Sequence, residues 1–545
     1  MADPAESAPP TDAPADVETW SFSDTAPWIV RTDEIRWLKG IDVLRLATRR
    51  QVPGLSRPHP LESPGRLLSV TGRLGATLAL WAIGERTRGP SESRAGLSRR
   101  VREAAEALGP TYIKLCQILS SGEGLFPAEL VEEMKRCRDQ VPAESFAAVR
   151  AVVEAELNGP LEDTFASFDP TPIAAASIAQ VHGATLHDGT AVVVKVQRPD
   201  IRRQVQRDLQ VMATIAPLLV GRIPLTALAN PPALVELFAE TISEELDFRL
   251  EAQNMLDLAS VFAQLGQRGF VIPRPHPELV TRRMLVMERF EGFAFDDVEG
   301  MQAAGIDTHE VVRVGMRGFT EGCMVHGIFH GDLHGGNLLV LPDGRIGLLD
   351  HGITARMTPL ERNAFLRLAL TGASGNIEGQ LEAFRDLGAL PPDTDIGQVI
   401  VDLGLDQAPV DPTAMSQAEL ITEIQRITTA LLSYGARLPK ILMLYVKNLV
   451  FLDGAIARLA PELDLLAEFT DLSTHLAVHH GEALAREIGA DPASLAADRE
   501  AIKASFGIVD PDLEVVTYAE LQRRREVIRG RLATGSSWRW SSPRR

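Results

Sequence analysis

The sequence predicts an α+β fold in which a small lobe built on a sheet precedes a larger helical lobe. Two short apolar runs in the middle of the chain, residues 192–196 and 285–287, have the composition of buried strands. The segments around them carry helical patterns. Further on, the apolar runs 338–341 and 345–349 flank a Pro-Asp-Gly turn, which predicts a β-hairpin inside the helical lobe.

Composition limits the class of protein. The chain has 545 residues, enough for two or three domains, and its 45% hydrophobic and 23% charged residues are ordinary for a soluble globular protein. Its net charge of −18 argues against a nucleic-acid-binding protein. The three cysteines have no metal-ligand spacing, so the sequence predicts a reducing environment and no disulfide framework.

The N-terminal region predicts a cytoplasmic protein. Residues 1–28 are rich in Pro, Ala and Asp and contain no Lys or Arg, so we expect disorder and no secretory signal. No apolar run reaches the roughly 18 residues that span a bilayer. The longest, residues 74–84, is predicted to be a buried helix.

Two basic segments raise the alternative of peripheral attachment to the cytoplasmic face of a membrane. Residues 33–50 predict a basic amphipathic helix, and the segment from Arg523 onward holds eight arginines with Trp538 and Trp540. We expect the C-terminal segment to be loosely ordered. Both segments either dock on the acidic body of the protein or bind an anionic membrane surface.

The organisation expected along the chain has five parts. They are a mostly disordered segment with the basic helix (1–66), a helical extension (67–160), the lobe with the sheet (161–290), the helical lobe (291–475), and a helical and basic tail (476–545).

The segment HGDLHGGN, residues 330–337, carries the clearest chemistry. The predicted hairpin brings Asn337 and Asp350 together, with Asp332 on the loop before it, and oxygen ligands of this kind suit Mg²⁺. The spacing is that of a kinase catalytic loop, in which the Asp orients or deprotonates the attacking hydroxyl. The simpler alternative is an acidic turn capped by a polar hairpin. This loop alone resembles aminoglycoside and choline kinases equally well.

A second candidate element is Lys195 on the valine-rich strand. A buried lysine is costly unless it meets an anion, and phosphate oxygens or Glu251 would satisfy it. The alternative is a surface lysine on an edge strand. The Ala-rich segment 173–182 stands where kinases have a glycine-rich loop, and its Cβ atoms make it stiffer, although Ser177 and backbone amides could still contact phosphate.

The motifs together resemble one family. LGPTYIKLCQ, AAASIAQVH, VVVKVQRP, EELDFRLEAQN, LVMERFEG, HGDLHGGN and LLDHG follow in the order found in the UbiB/AarF family of atypical kinases, over roughly residues 95–460. The first, second and fourth motifs are absent from ordinary kinases and from small-molecule phosphotransferases.

The resemblance implies a protein-kinase-like two-lobe fold with a family-specific helical extension over the cleft, and it implies binding of ATP and Mg²⁺. It also implies that Glu245 and Asp247 help to hold the helix of Lys114 and Gln117. The implied site residues are catalytic Asp332, Lys195 and Glu251; nucleotide-binding Ala174, Ala175, Ala176, Ser177, Lys195, Met287, Glu288, Phe290, Lys114 and Gln117; and metal-binding Asn337 and Asp350.

The resemblance further implies an ATP-dependent atypical kinase or ATPase that supports isoprenoid-quinone or other lipid metabolism, with lipid- or quinone-pathway proteins as partners. The alternatives are a small-molecule phosphotransferase and a regulatory nucleotide-binding scaffold. The chain departs from the family pattern at Cys116, which replaces Gly, and from ordinary kinases at His351, which replaces Phe, and Gly331, which replaces Arg. Without that Arg we expect no activation by loop phosphorylation. The phosphoryl acceptor and the oligomeric state are left open.

Overall fold

A computed structural model provides the structure. It describes residues 21–24, 27–57, 64–120, 128–137, 141–219, 231–373, 375–406, 439–489 and 515–533, together with residue 503 and short pieces between 415 and 436.

Helices among these residues are numbered in chain order. They are α1 (Ile41–Leu55), α2 (Pro64–Gly84), α3 (Pro90–Leu108), α4 (Pro110–Ser120), α5 (Ala128–Lys135), α6 (Phe146–Leu157), α7 (Ile201–Leu219), α8 (Pro231–Glu245), α9 (Phe248–Gln264), α10 (Val298–Ala303), α11 (Thr308–Glu321), α12 (Pro359–Ala373), α13 (Ile377–Asp386), α14 (Ile396–Asp402), α15 (Lys440–Leu459), α16 (Leu465–Ile488) and α17 (Tyr518–Ala533).

The strands form small sheets. They are β1 (Phe165–Ala175), β2 (Ala179–Leu186), β3 (Ala191–Gln197), β4 (Phe270–Val271), β5 (Pro275–Val280), β6 (Met284–Glu288), β7 (Phe293–Ala294), β8 (Ile328–His330), β9 (Leu338–Val340), β10 (Ile346–Leu348) and β11 (Thr354–Arg356).

The N-terminal lobe is built on a five-stranded antiparallel sheet in the order β1-β2-β3-β6-β5. Alternation along β3 separates its two faces. Val192, Val194 and Val196 are buried in a core that includes residues of α6, whereas Lys195 points to the opposite face and contacts α9. The strand therefore presents one lysine to the interior of the molecule.

The C-terminal lobe contains the predicted hairpin. Strands β9 and β10 pair antiparallel, with Leu348 opposite Leu338, and β4 and β7 extend them to a four-stranded sheet. Strand β8 enters the catalytic-loop segment and pairs with β11, which follows Asp350. These pairings bring the two ends of the segment 330–350 to one place.

The prediction that residues 74–84 form a buried helix is wrong. They belong to α2, which packs on α3 and α7 but exposes much of its apolar surface, including Leu80 (55% exposed) and Ile83 (84%). By length and composition, α2 is the one helix in the described parts of the chain that is apolar enough to cross a membrane.

The disorder expected for residues 1–28 is contradicted at residues 21–24 and 27–28. Phe22 is buried and forms a β-bridge with Ile272, and the Trp28 indole donates to the backbone oxygen of Pro275 at 3.0 Å. Residues 1–20 and 25–26 lie outside the described residues. The N-terminal segment is thus ordered by contacts with α9 and with residues 272–275 at the start of β5.

The helix predicted at 33–50 begins only at Ile41, after a series of turns. Two of its three arginines contact the body of the protein, and Arg50 is exposed. Arg45 is buried and donates to Gln253 at 2.6 Å and to Asn254 at 2.9 Å, while Arg49 pairs with Glu244 at 2.8 Å. These contacts favour docking on the body over membrane attachment for this segment.

The expectation of a loosely ordered C-terminal segment is wrong up to Ala533, because α17 includes Arg523. Arg525 pairs with Asp453 of α15 at 2.7 Å, so this basic segment also docks on the body. Trp538 and Trp540 lie outside the described residues.

Candidate active site

Lys195 lies at the centre of the candidate site. Its ammonium group donates to Glu251 Oε1 at 2.6 Å and to Asp350 Oδ2 at 2.8 Å. Glu251 is in the first turn of α9, and Asp350 follows β10, so one lysine joins the two lobes. The structure therefore brings together three residues that the motifs pointed to.

Burial and charge set the ionisation of this cluster. Burial would lower the pKa of Lys195, but Asp350 and Glu251 outweigh it and raise that pKa, so the lysine stays charged. Burial raises the pKa of Glu251 to about 7, with Lys195 opposing and Asp350 adding to the effect. Asp350 keeps a pKa below its usual range because Lys195 and the Gly352 amide overcome the cost of burial.

Asn337 is next to Asp350 in the hairpin, since its backbone oxygen accepts from the Leu349 amide at 2.9 Å, and it also contacts Asp332. The Asn337 amide nitrogen donates to the backbone oxygen of Asp332 at 3.0 Å, which leaves the amide oxygen as the atom of this side chain that can bind a metal. Asp350 Oδ1 accepts from the Gly352 amide at 2.8 Å. One amide oxygen and a carboxylate form a donor set of hard oxygens that fits Mg²⁺.

His330 joins the two loops of the site through one imidazole ring. Its Nδ1 accepts from the Asp332 amide at 3.1 Å, and its Nε2 donates to the backbone oxygen of Asp350. Burial lowers the pKa of His330, so the ring is neutral and both nitrogens are used. The imidazole thereby sets the position of Asp332 relative to Asp350.

Gly331 leaves no space for the arginine of ordinary kinases. A Cβ at this position would lie 2.7 Å from Ile353 Cγ2 and 3.1 Å from the Ile353 oxygen. The close approach comes from β8 and β11, since the Gly331 amide donates to that same oxygen at 2.8 Å. A glycine is therefore required by packing here.

Two site residues were missed in the sequence. Lys447 of α15 forms an ion pair with Asp332, and the neighbouring Asn448, fully buried, accepts from the Leu333 amide at 3.1 Å and donates to the His330 oxygen. The signal was a Lys-Asn pair within the apolar stretch 441–452, because a fully buried Asn and a partly buried Lys there require polar partners.

Lys114 brings α4 to the same site. Its ammonium group pairs with Glu245 at 2.9 Å, and Glu245 packs against Gly352. Gln117 is half-buried almost one turn later on α4. Asp247, which we expected to help hold this helix, instead caps α9 and pairs with Arg249 at 2.7 Å, because its position directly before α9 suits an N-cap.

The Ala-rich segment forms a tight hairpin turn. Ala174 and Ala175 end β1, and the Ala176 amide donates to the Ala179 oxygen at 2.9 Å. Ser177 is buried in the turn. Arg198, directly after β3, donates to the Ala176 oxygen at 3.0 Å, so a charged side chain stabilises the turn.

The predicted hinge follows β6. Met287 and Glu288 are buried at the end of the strand, and Glu288 accepts from the Arg274 amide at 3.2 Å and from the Ser23 hydroxyl. Phe290 packs on Gly347, where an added Cβ would lie 2.9 Å from its ring. The hinge is thereby held against the C-terminal hairpin.

Comparisons with known proteins agree on the family. Residues 136–383 match the model of the ABC1 atypical kinase-like domain. An uncharacterized protein of Mycobacterium tuberculosis is 33% identical over 467 residues, which is 82% of this chain and 93% of that protein. A protein of Aeromonas salmonicida named "Probable protein kinase UbiB" is 30% identical over 407 residues, 74% of this chain and 73% of that protein. The chain belongs to the UbiB/AarF family.

A third relative supports the same assignment. It is an uncharacterized aarF domain-containing protein kinase of Arabidopsis thaliana, named chloroplastic, and it is 31% identical over 407 residues, 70% of this chain and 75% of that protein. The predicted α+β kinase-like fold is confirmed.

The replacements at Cys116 and His351 are both buried. The Cys116 thiol hydrogen-bonds to Cys137, and this contact together with burial raises its pKa, so it is a neutral core group of α4. His351 is fully buried, and neither ring nitrogen has a hydrogen-bond partner among the residues that the structure describes; its ring is 5.7 Å from the His330 ring. Burial lowers its pKa, and the neutral ring packs as a phenylalanine would.

Proposed function

We propose that the protein is an ATP-dependent phosphotransferase or ATPase that requires Mg²⁺. The contact of one lysine with both Glu251 and Asp350 carries the proposal. In a kinase-like site this arrangement places the cation for the α- and β-phosphates beside the carboxylate that binds the metal. Asn337 and Asp350 would hold Mg²⁺, which would neutralise charge on the phosphates, and Asp332 would orient the attacking hydroxyl or water.

Contacts of α4 favour a small acceptor or water over a protein acceptor. Lys114 is paired with Glu245 next to the metal loop, and its charge acts on both Asp332 and Asp350. In this proposal the helix covers the site where ordinary kinases place a protein substrate, as the family resemblance implies. A regulatory scaffold is a weaker proposal, because Lys195, Asp332, Asn337 and Asp350 are all present.

ATP turnover tests this function. Wild-type protein with Mg-ATP should release ADP, and Asp332→Asn should lower kcat about 100-fold or more while leaving nucleotide binding intact, since the carboxylate acts on the acceptor. The assay compares reactions with and without anionic liposomes and quinone-like phenols, and Asp350→Asn serves as the blank. Turnover by wild type that equals turnover by both variants would contradict the assignment.

We also propose that the protein acts on the cytoplasmic side of a membrane, in lipid or isoprenoid-quinone metabolism, with proteins of that pathway as partners. Support comes from α2, whose apolar surface includes the exposed Leu80 and Ile83, with the exposed Arg73, Arg86 and Arg88 beside it. Apolar area and positive charge together favour an anionic bilayer surface.

The double variant Leu80→Glu/Ile83→Glu should lose binding to phosphatidylglycerol vesicles, because it places two charges on the surface that would enter the bilayer. Flotation at low salt measures this. The matched control is Leu360→Glu/Val401→Glu, which alters exposed apolar residues of α12 and α14 (83% and 60% exposed) and should float like wild type. Wild type that does not float would rule out this attachment.

A further inference from the structure

Lys447 contributes a positive charge to the catalytic loop from a distant part of the chain. It lies near the middle of α15, 115 residues after Asp332, and its ammonium group forms an ion pair with Asp332 Oδ1. The two side chains are 20% and 19% exposed. The pair is therefore partly shielded from water and still reachable from the cleft.

The position of Lys447 is fixed by its neighbour. Asn448, fully buried, binds the His330 oxygen and the Leu333 amide, which lie on the two sides of Asp332 in the chain. Asn448 of α15 thus binds backbone atoms of the catalytic loop. These contacts fix the position of the Lys447 ammonium group relative to the Asp332 carboxylate.

The catalytic loop has no cation of its own at this place. From Asp332 to Asn337 the sequence contains no Lys or Arg. Transfer of a phosphoryl group spreads negative charge over its oxygens and requires positive groups around them. Lys195 is already held by Glu251 and Asp350, and Lys114 by Glu245, whereas the ion pairs of the described residues give Lys447 only Asp332.

Lys447 also acts on the charge of the carboxylate. Burial would raise the pKa of Asp332, but Lys447, with Lys114 and His334, outweighs burial and holds that pKa below its usual range. Asp332 consequently stays ionised and suited to orient an acceptor hydroxyl through a hydrogen bond.

We propose that Lys447 is a catalytic residue that positions the Asp332 carboxylate before the reaction and binds the oxygens of the phosphoryl group during its transfer. This inference rests on the proposed phosphotransferase or ATPase function. It gives a residue of helix α15 a role that a residue within the catalytic loop could also perform. No covalent bond to Lys447 forms or breaks.

Three variants test the assignment. Lys447→Met removes the charge but keeps the length of the side chain, and kcat should fall about 100-fold, the effect of deleting one group that stabilises transition-state charge, with little change in Mg-ATP affinity. Lys447→Arg should recover part of the rate. The matched control, Lys440→Met, breaks an ion pair of the same helix with Glu240 (2.9 Å) and should leave both quantities unchanged.

A comparison of kcat with KM separates this role from a structural one. Lys447→Met should lower kcat with little change in the KM for ATP, because the ammonium group acts on the phosphoryl group only during its transfer. Equal rates in wild type and Lys447→Met would overturn the inference. So would a Lys447→Met protein that loses ATP binding and thermal stability together with its activity, because the role would then be structural.

A measurement without turnover keeps the two proposals distinguishable. ADP with Mg²⁺ and aluminium fluoride imitates the transferred phosphoryl group, and it should stabilise wild type more than Mg-ADP does. Lys447→Met should lose this additional stabilisation alone. A wild type that shows no ATP turnover contradicts the proposed function. Equal additional stabilisation in wild type and Lys447→Met contradicts the role of Lys447.

Discussion

Replacing Asp350 with Asn should remove the thermal stabilisation that Mg-ATP gives to the wild-type protein. Asp350 lies between Lys195 and the metal position, and an amide in its place keeps the shape but lacks the charge that binds Mg²⁺. A ligand at 100 times its Kd stabilises a fold by about 2.7 kcal/mol, and the variant should lose most of this. A thermal-shift titration with Mg-ATP measures the effect.

Asp343→Asn is the matched control for this experiment. Asp343 lies in the turn of the same hairpin, exposed and away from Lys195, so the control should keep the full stabilisation. Retention of the wild-type shift by Asp350→Asn would show that the metal position is elsewhere.

Lys195→Met should destabilise the protein by about 3–5 kcal/mol, the cost of breaking a buried ion pair by removing one partner. Glu251, with its side chain 3% exposed, would then face Asp350 without a cation between them. Unfolding in urea measures the loss. The double variant Lys195→Met/Glu251→Leu should regain much of the stability, because it replaces the pair by apolar groups.

The same pair predicts how this loss depends on pH. The folded-state pKa of Glu251, about 7, is above the value of about 4.5 for a free glutamate. Its contribution to stability is therefore present below pH 4.5 and decreases as the pH rises through 7. Loss of Lys195 raises this pKa further, so Lys195→Met should differ from wild type more at pH 8 than at pH 5. An equal difference at both values would contradict the ion-pair account.

Local patterns predicted the part of the site that is close in sequence. Asn337 and Asp350 flank two short apolar runs and a Pro-Asp-Gly turn, and such a pattern has few structural solutions. The contact of Lys195 with Glu251 followed from the order of the motifs. The first inference used two residues that are 13 positions apart, and the second used the motif order of a known family.

Contacts between distant segments were beyond such reasoning. Lys447 contacts Asp332 across 115 residues, and the sequence around each residue does not indicate which residue is its partner. The exposure of Ile83 was missed for a similar reason. An apolar run shows which side chains would gain stability from burial, but the packing of neighbouring helices decides which face of the helix is covered.

The basic helix shows the opposite error. An alternation of arginines and apolar residues predicts an amphipathic surface, but the polar partners that bind Arg45 and Arg49 are some 200 residues away. Charge pattern alone did not distinguish a membrane surface from Glu244 and Gln253 on the same molecule.

The N-terminal segment has a consequence for the motion of the lobes. Ser23 binds Glu288 at the hinge, and Asp24 pairs with Arg345 of the C-terminal hairpin at 2.8 Å. The segment from Phe22 to Asp24 therefore connects the hinge to the C-terminal hairpin. Under the proposed function, ATP enters and ADP leaves as the lobes move apart, and this segment has to bend or detach each time. We therefore expect the rate of nucleotide exchange to depend on these three residues, although they are not among the proposed phosphate- or metal-binding residues.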